Sequence, residues 1–337
     1  MRRPPKLQAG LRFGDFELLR PLAKGGMGQV WVVRRADRPD GPTYVLKTVV
    51  DDLETDPQAR DLLREEGRLL QRLKDVHWPG FVAEGAKAQV PFFVMEYIDG
   101  HSLQSWLALA EQHEWRLPAG IASRILIEAA EGLHVLHELR HQTGAPIGAV
   151  HRDVTPHNIL VDRRGTTKLI DLGVAKSAIR RAEATEEGVF RGKFRYMAPE
   201  QAGSAPRDRR MDVWGLGATL YAAVTRSLPF AECNEIEIMK AMLHPLPILS
   251  KNKEPLSEPV REVLARSTAS DPAQRFPTAR DFARALAQAI PPSSHRDVAS
   301  FAYELFELVD QEAERQKERA LHQLVNAVVV AVDPDDD

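Results

Sequence analysis

Apolar residues along this chain recur with two different periods, and the change between them divides it. The segments "FELLRPL" from Phe16, "QVWVV" from Gln29, "TYVLKTVV" from Thr43 and "FFVMEY" from Phe92 are rich in β-branched and aromatic residues, which predicts strands. Between the third and the fourth, Ala59, Leu62, Leu63, Glu66, Leu70 and Leu73 fall on one face of a helix predicted over 56–74. That apolar stripe contains a glutamate, whereas neighbouring Glu65 points away around the helix axis. From about residue 102 the period becomes helical, most clearly in "LQSWLALAEQ", "ASRILIEAAEGLHVLHEL", "MDVWGLGATLYAAV" and "ARDFARALAQAI". Strand-like pieces persist only at "NILVD" and "TKLID". The pattern predicts a two-lobed α+β protein: a small antiparallel β-sheet with one main helix, then a mainly α-helical lobe, with a cleft between them suited to a ligand.

After "PPSSH" at 291–295 a further helical stretch runs to the acidic end "DPDDD". Its Val298, Phe301, Ala302, Leu305 and Val309 form a stripe that either packs on the preceding helices or meets a partner or second copy through 296–330.

With 337 residues, 43% hydrophobic and 28% charged, the chain has an ordinary globular composition. A net charge of -3 gives no general attraction to nucleic acid or acidic membranes, so any anion must be bound locally. The lone Cys233 excludes an internal disulfide and suits a reducing compartment. "MRRPPKLQAG" lacks the apolar region of a secretion signal, and "AVVVAV" at 327–332 is far short of the roughly 20 residues that span a bilayer. A cytoplasmic protein with no membrane span is expected.

Candidate chemistry follows. "LAKGGMGQV" joins two predicted strands, and its glycines would let backbone amides approach a phosphate. It does not enter a helix as a Walker or Rossmann loop should, and alone it is weak evidence, because glycine-rich hairpins are common as plain turns. Lys47 lies on a half-buried strand, and a carboxylate at Glu66 needs a cation. In "HRDVTPHNIL" and "TKLIDLGVAK", Asp153, Asn158 and Asp171 form an oxygen-bearing set of the kind that suits Mg²⁺. A zinc site at His151 and His157 is the rival reading, with no cysteine or HExxH helix to support it. A solvated polar loop is the other.

Taken in order, these motifs resemble those of the protein kinase family, specifically the eukaryotic-like serine/threonine kinases of bacteria. The resemblance runs from about Phe16 to Ile290: "LAKGGMGQV", "YVLK", "HRDVTPHN", "DLG", "MAPE", "DVWGLG" and "DPAQRF". It implies a bilobal fold with an N-lobe of about 16–95, a hinge at 96–98 and a C-lobe of 99–290, flanked by extensions at 1–15 and 291–337. It implies ATP with Mg²⁺, or Mn²⁺ in its place, and a protein substrate; the alternative is an ATP-binding pseudokinase or signalling scaffold, which the loss of Lys47, Asp153, Asn158 or Asp171 would favour, and all four are present.

Leu22, Ala23, Lys24, Gly25, Gly26, Met27, Gly28 and Gln29 would cover the phosphates, and Val30, Val45 and Leu160 would surround adenine. Met95 would be the gatekeeper, with Glu96 and Ile98 presenting hinge backbone groups. Lys47 would grip phosphate and pair with Glu66, Asn158 and Asp171 would hold metal, and Asp153 would deprotonate the attacking hydroxyl. Asp212 would brace the catalytic loop, and Glu200 would pair with Arg275.

The chain departs from the family pattern in places. Ala23 replaces a glycine, Val45 an alanine and Leu172 a phenylalanine, while "HELRHQTGAPIGAVHRD" is longer than usual and predicts a surface hairpin or loop. Thr155 stands where a lysine contacts the γ-phosphate, and Lys193 where a threonine is usual. Either Lys193 reaches back to supply the missing cation, with the Thr155 hydroxyl as its partner, or it is a solvated charge. Arg152 would bind a phosphorylated activation segment, with autophosphorylation expected at Thr185 rather than Ser177.

Overall fold

The computed structural model describes residues 7–25, 28–50, 53, 56–173, 195–202, 208–230, 237–238, 256–308, 311 and 314–315. The first lobe is a six-stranded antiparallel sheet in the order β1-β2-β3-β4-β6-β5. Its strands are β1 (Arg12–Phe13), β2 (Phe16–Lys24), β3 (Gly28–Arg35), β4 (Thr43–Val49), β5 (Phe81–Lys87) and β6 (Val90–Glu96). The lobe starts earlier than residue 16, because Arg12 and Phe13 pair with Glu17 and Phe16 and the Phe13 ring packs edge-on to Phe92 at 5.5 Å. An apolar ring so close to the sheet cannot be left in a detached extension.

Helix α1 (Pro57–Arg72) starts where Asp56 accepts a hydrogen bond from Gln58 N–H (2.9 Å), with Pro57 in the first turn where no donor is needed. Its buried side carries Ala59, Leu63, Glu66, Gly67 and Leu70, and Glu65 is exposed. Two apolar clusters result. Phe13, Phe16, Leu18, Trp31, Leu46 and Val94 pack on one face of the sheet. The other face, with Val49 and Phe93, shares a cluster with α1 that continues into the second lobe.

The second lobe contains α2 (Leu103–Gln112), α3 (Ala119–His137), α4 (Arg210–Thr225), α5 (Glu258–Ser267) and α6 (Ala279–Ala289), followed by a helix at 295–308, here α7. A small sheet, β7 (Gly100–Ser102), β8 (Ile159–Asp162) and β9 (Thr167–Leu169), lines the side facing the first lobe. The long approach to residue 151 forms a hairpin: Arg140 bridges Pro146, and His141 N–H donates to Ala145 O at 2.8 Å. Val298, Ala302, Leu305 and Phe306 of α7 are buried in the main cluster, so packing on the preceding helices accounts for the stripe through Leu305. Val309 lies outside the described residues.

Candidate active site

Strand parity sets the first half of the site. Side chains alternate across a pleated strand, so Tyr44 and Leu46 face one apolar cluster while Val45 and Lys47 face the cleft and α1. Direct cross-strand partners share a face, which places Val30 beside Lys47 and Met95 beside Val45. Lys47 Nζ donates to Glu66 Oε1 and to Asp171 Oδ1, each at 2.7 Å. Burial opposes its charge, but Asp171 and then Glu66 outweigh it, so the ammonium is held above its ordinary pKa of 10.5. Lys47 therefore stays charged at neutral pH.

Asp212, near the start of α4, organises the loop at 151–158. Its carboxylate accepts from His151 N–H (2.8 Å), Arg152 N–H (2.7 Å) and His137 Nε2–H (2.7 Å). Burial works against ionisation here, but the hydrogen bonds from His137 and from the His151 amide prevail, holding the carboxyl below its ordinary 3.8. Helix and loop meet closely: a Cβ on Gly215 would lie 2.7 Å from Val154 O.

Inside the loop, Asp153 is 8% exposed and Asn158 Nδ2 donates to both its carbonyl and its carboxylate. His151 Nδ1 accepts from Asp153 N–H (3.3 Å), and its Nε2–H donates to Ile170 O (3.1 Å), so this ring braces backbone. Asp171 and Arg152 have φ of 59° and 65°, a left-handed conformation that costs a non-glycine residue energy and recurs where geometry serves function.

No cluster of three or more His, Cys, Asp or Glu residues able to hold a metal occurs among the described residues. A cation at Asp171 and Asn158 would take most of its shell from phosphate and water. That is the habit of Mg²⁺, and Asn158 offers its amide oxygen because its nitrogen is committed to Asp153.

The expected adenine-site residues divide between the lobes. Val30, Val45 and Met95 lie on the first sheet, and Leu160 on β8, where it pairs with Ser102. Glu96 N–H is already donated to Gly80 O (2.8 Å), so its backbone amide is committed within the protein. Its side chain has a role that the sequence reading missed: Oε2 accepts from Lys168 Nζ (3.0 Å) and Gly80 N–H (2.9 Å). A lysine in an alternating strand was the only signal for it. Leu22, Ala23, Lys24, Gly25, Gly28 and Gln29 lie at the β2–β3 junction, closed by Gly25 N–H to Gly28 O at 2.9 Å.

Gly26, Met27, Lys193, Ser177 and Thr185 lie outside the described residues. The Thr155 hydroxyl is buried with no hydrogen-bond partner among the described residues. Arg275 joins Glu200 through two bonds of 2.6 and 2.8 Å, as expected. Gln201 links that region to the loop by donating to Arg152 O (3.0 Å).

The family model described as "Protein kinase domain" matches residues 16–287. The chain belongs to the protein kinase family. It is 34% identical to the tyrosine-protein kinase MasK of Myxococcus xanthus over 84% of its own length and 45% of MasK. It is 32% identical to the serine/threonine-protein kinase PknA of Mycobacterium tuberculosis over 81% of its length and 61% of PknA. The kinase thus spans about half the length of these curated relatives. The solved PknI kinase domain of M. tuberculosis shares the fold at a TM-score of 0.64 and 24% identity, over 84% of this chain and 99% of that one.

Proposed function

We propose that this kinase transfers the γ-phosphate of ATP to serine or threonine hydroxyls of a protein substrate. The observation that carries the reading is the pairing of Lys47 with both Glu66 and Asp171, across the cleft from a loop in which Asn158 holds Asp153. Lys47 neutralises phosphate oxygens, and the β2–β3 junction with Val30, Val45, Met95, Ile98 and Leu160 receives the nucleotide. Asp171 and Asn158 would hold Mg²⁺, which would supply charge neutralisation at the transferring group. Asp153 takes the proton of the acceptor hydroxyl as its oxygen bonds to the γ-phosphorus and the bond to the ADP oxygen breaks. Positioning and charge do most of the work, and the base contributes about 10²- to 10⁴-fold.

A cytoplasmic setting belongs to the same reading: the lone Cys233 suits reducing conditions, and no helix among the described residues is long and apolar enough to cross a membrane. Autophosphorylation at Thr185 read by Arg152 would complete the switch.

Tyrosine is the second acceptor to consider, favoured by the name of MasK and by the absence of a catalytic-loop lysine at Thr155. Incubation with labelled ATP and Mg²⁺, followed by phosphoamino-acid analysis, decides between them. Phosphoserine or phosphothreonine is expected, falling about 10²-fold or more in Asp153→Ala. Phosphotyrosine alone would replace the acceptor assignment, and equal transfer by the variant would remove Asp153 from its role.

A further inference from the structure

The family match ends at residue 287, yet the helix beyond it buries one face in the lobe it covers. Val298 and Ala302 are fully buried, and Leu305 and Phe306 are 1% exposed. The segment leading into α7 is tied to α3, with Ser293 N–H donating to Gly120 O (2.9 Å) and Arg124 Nε–H to Ser293 O (2.7 Å). The first turn of α7 then closes on the β8–β9 turn at Gly165. This glycine has φ +78°, and a Cβ there would stand 2.7 Å from Ala299 N and His295 O, so no other residue allows the helix so near.

The other end of α7 reaches the exit of the hinge. The Phe306 ring meets His101 of β7 at 4.6 Å between centroids and Trp106 of α2 at 6.4 Å. Arg163 stands over the same ring, with Cζ 4.9 Å from its centroid. From there its Nε–H donates to Asp99 Oδ2 (2.9 Å), and its backbone N–H donates to Asp99 O (3.1 Å). Asp99 directly follows Ile98, and Arg163 lies just beyond Asp162, the last residue of the strand that carries Leu160. One arginine therefore joins α7 to both ends of the expected adenine floor.

We propose that α7 positions the nucleotide: Phe306 and Arg163 hold the hinge exit at Asp99 and the Leu160 strand in the alignment that grips adenine. This rests on the nucleotide-binding reading above. Arg163 and Phe306 are positioning residues and touch no reacting atom. The Arg163 and Asp99 side chains are 43% and 66% exposed, and an ion pair that exposed adds little to global stability. Its loss therefore separates alignment of the site from folding of the lobe.

The test uses the full chain and measures ADP affinity by calorimetry with Mg²⁺, ATP KM and kcat, and the melting temperature without ligand. In Arg163→Ala, ADP affinity should fall about fivefold, with ATP KM rising in step. The variant's kcat and melting temperature should stay at wild-type values. Arg163→Lys, which keeps the charge but loses the planar stack, should recover part of the affinity. Phe306→Leu, which keeps an apolar side chain but no ring, should shift KM in the same direction as Arg163→Ala. Wild-type ADP affinity in both Arg163→Ala and Phe306→Leu would overturn the proposal and leave α7 a cover for the lobe. A wild-type chain that binds no ADP would overturn the nucleotide reading itself, and this inference with it.

Discussion

Asp212 satisfies three donors with two oxygens, and an amide cannot repeat this. Asp212→Asn turns an NH₂ toward at least one of those donors, so it should cost about 3 kcal/mol and slow transfer by loosening the loop that carries Asp153. Denaturant midpoints and kcat check both effects. The sign of the pH dependence follows from the depressed carboxyl. Its stabilisation is complete above its ordinary 3.8 and is lost as pH falls below that value, so Asp212→Asn should flatten the acid limb of a stability–pH curve. Lys47 has the opposite sense, contributing fully below 10.5 and losing its contribution only in stronger alkali. Lys47 and Glu66 were legible in sequence because one sits on a strand with clear parity and the other interrupts an apolar stripe. The Glu96–Lys168 pair was not, since it depends on how β9 approaches the hinge.

Among elements, legibility followed amphipathic contrast. Helix α2 coincides with its predicted segment, whereas α5 was not singled out, because Glu258, Arg261, Glu262 and Arg266 obscure the buried Val260, Val263 and Leu264. Strand β5, at the sheet edge, carries no buried side chain and a glycine, and β1 and β7 are too short to show a period. The Glu200–Arg275 pair joins elements far apart in sequence. The Arg275 side chain is fully buried and also donates to the carbonyls of Arg210, Ala269 and Ser270. Arg275→Met leaves Glu200 and these carbonyls without their donor, so a loss of about 3–5 kcal/mol is expected. A thermal melt within a degree or so of wild type would show that this junction contributes little.

For the whole molecule, the two-lobed architecture was legible in the change of period, while the extent of each packing unit was not. The apolar clusters do not divide at the hinge. They divide within the first sheet, whose outer face packs Phe13, Phe16, Leu18 and Trp31 together while its inner face joins α1 to the second lobe. The inner one is a contiguous apolar cluster from Val49 of β4 to Phe306 of α7, so it is expected to open as one unit, with the part that melts separately smaller than a lobe. Amide hydrogen exchange should reveal this as two tiers of protection, with β1 and β2 opening first. The amides of α1 should exchange at the rate of α3 and α4, even though α1 belongs by sequence to the other lobe. Helix α1 packs on the inner face of the sheet, against β4, β5 and β6, so melting confined to the outer face would leave Glu66 within reach of Lys47 and this half of the ion pair in place.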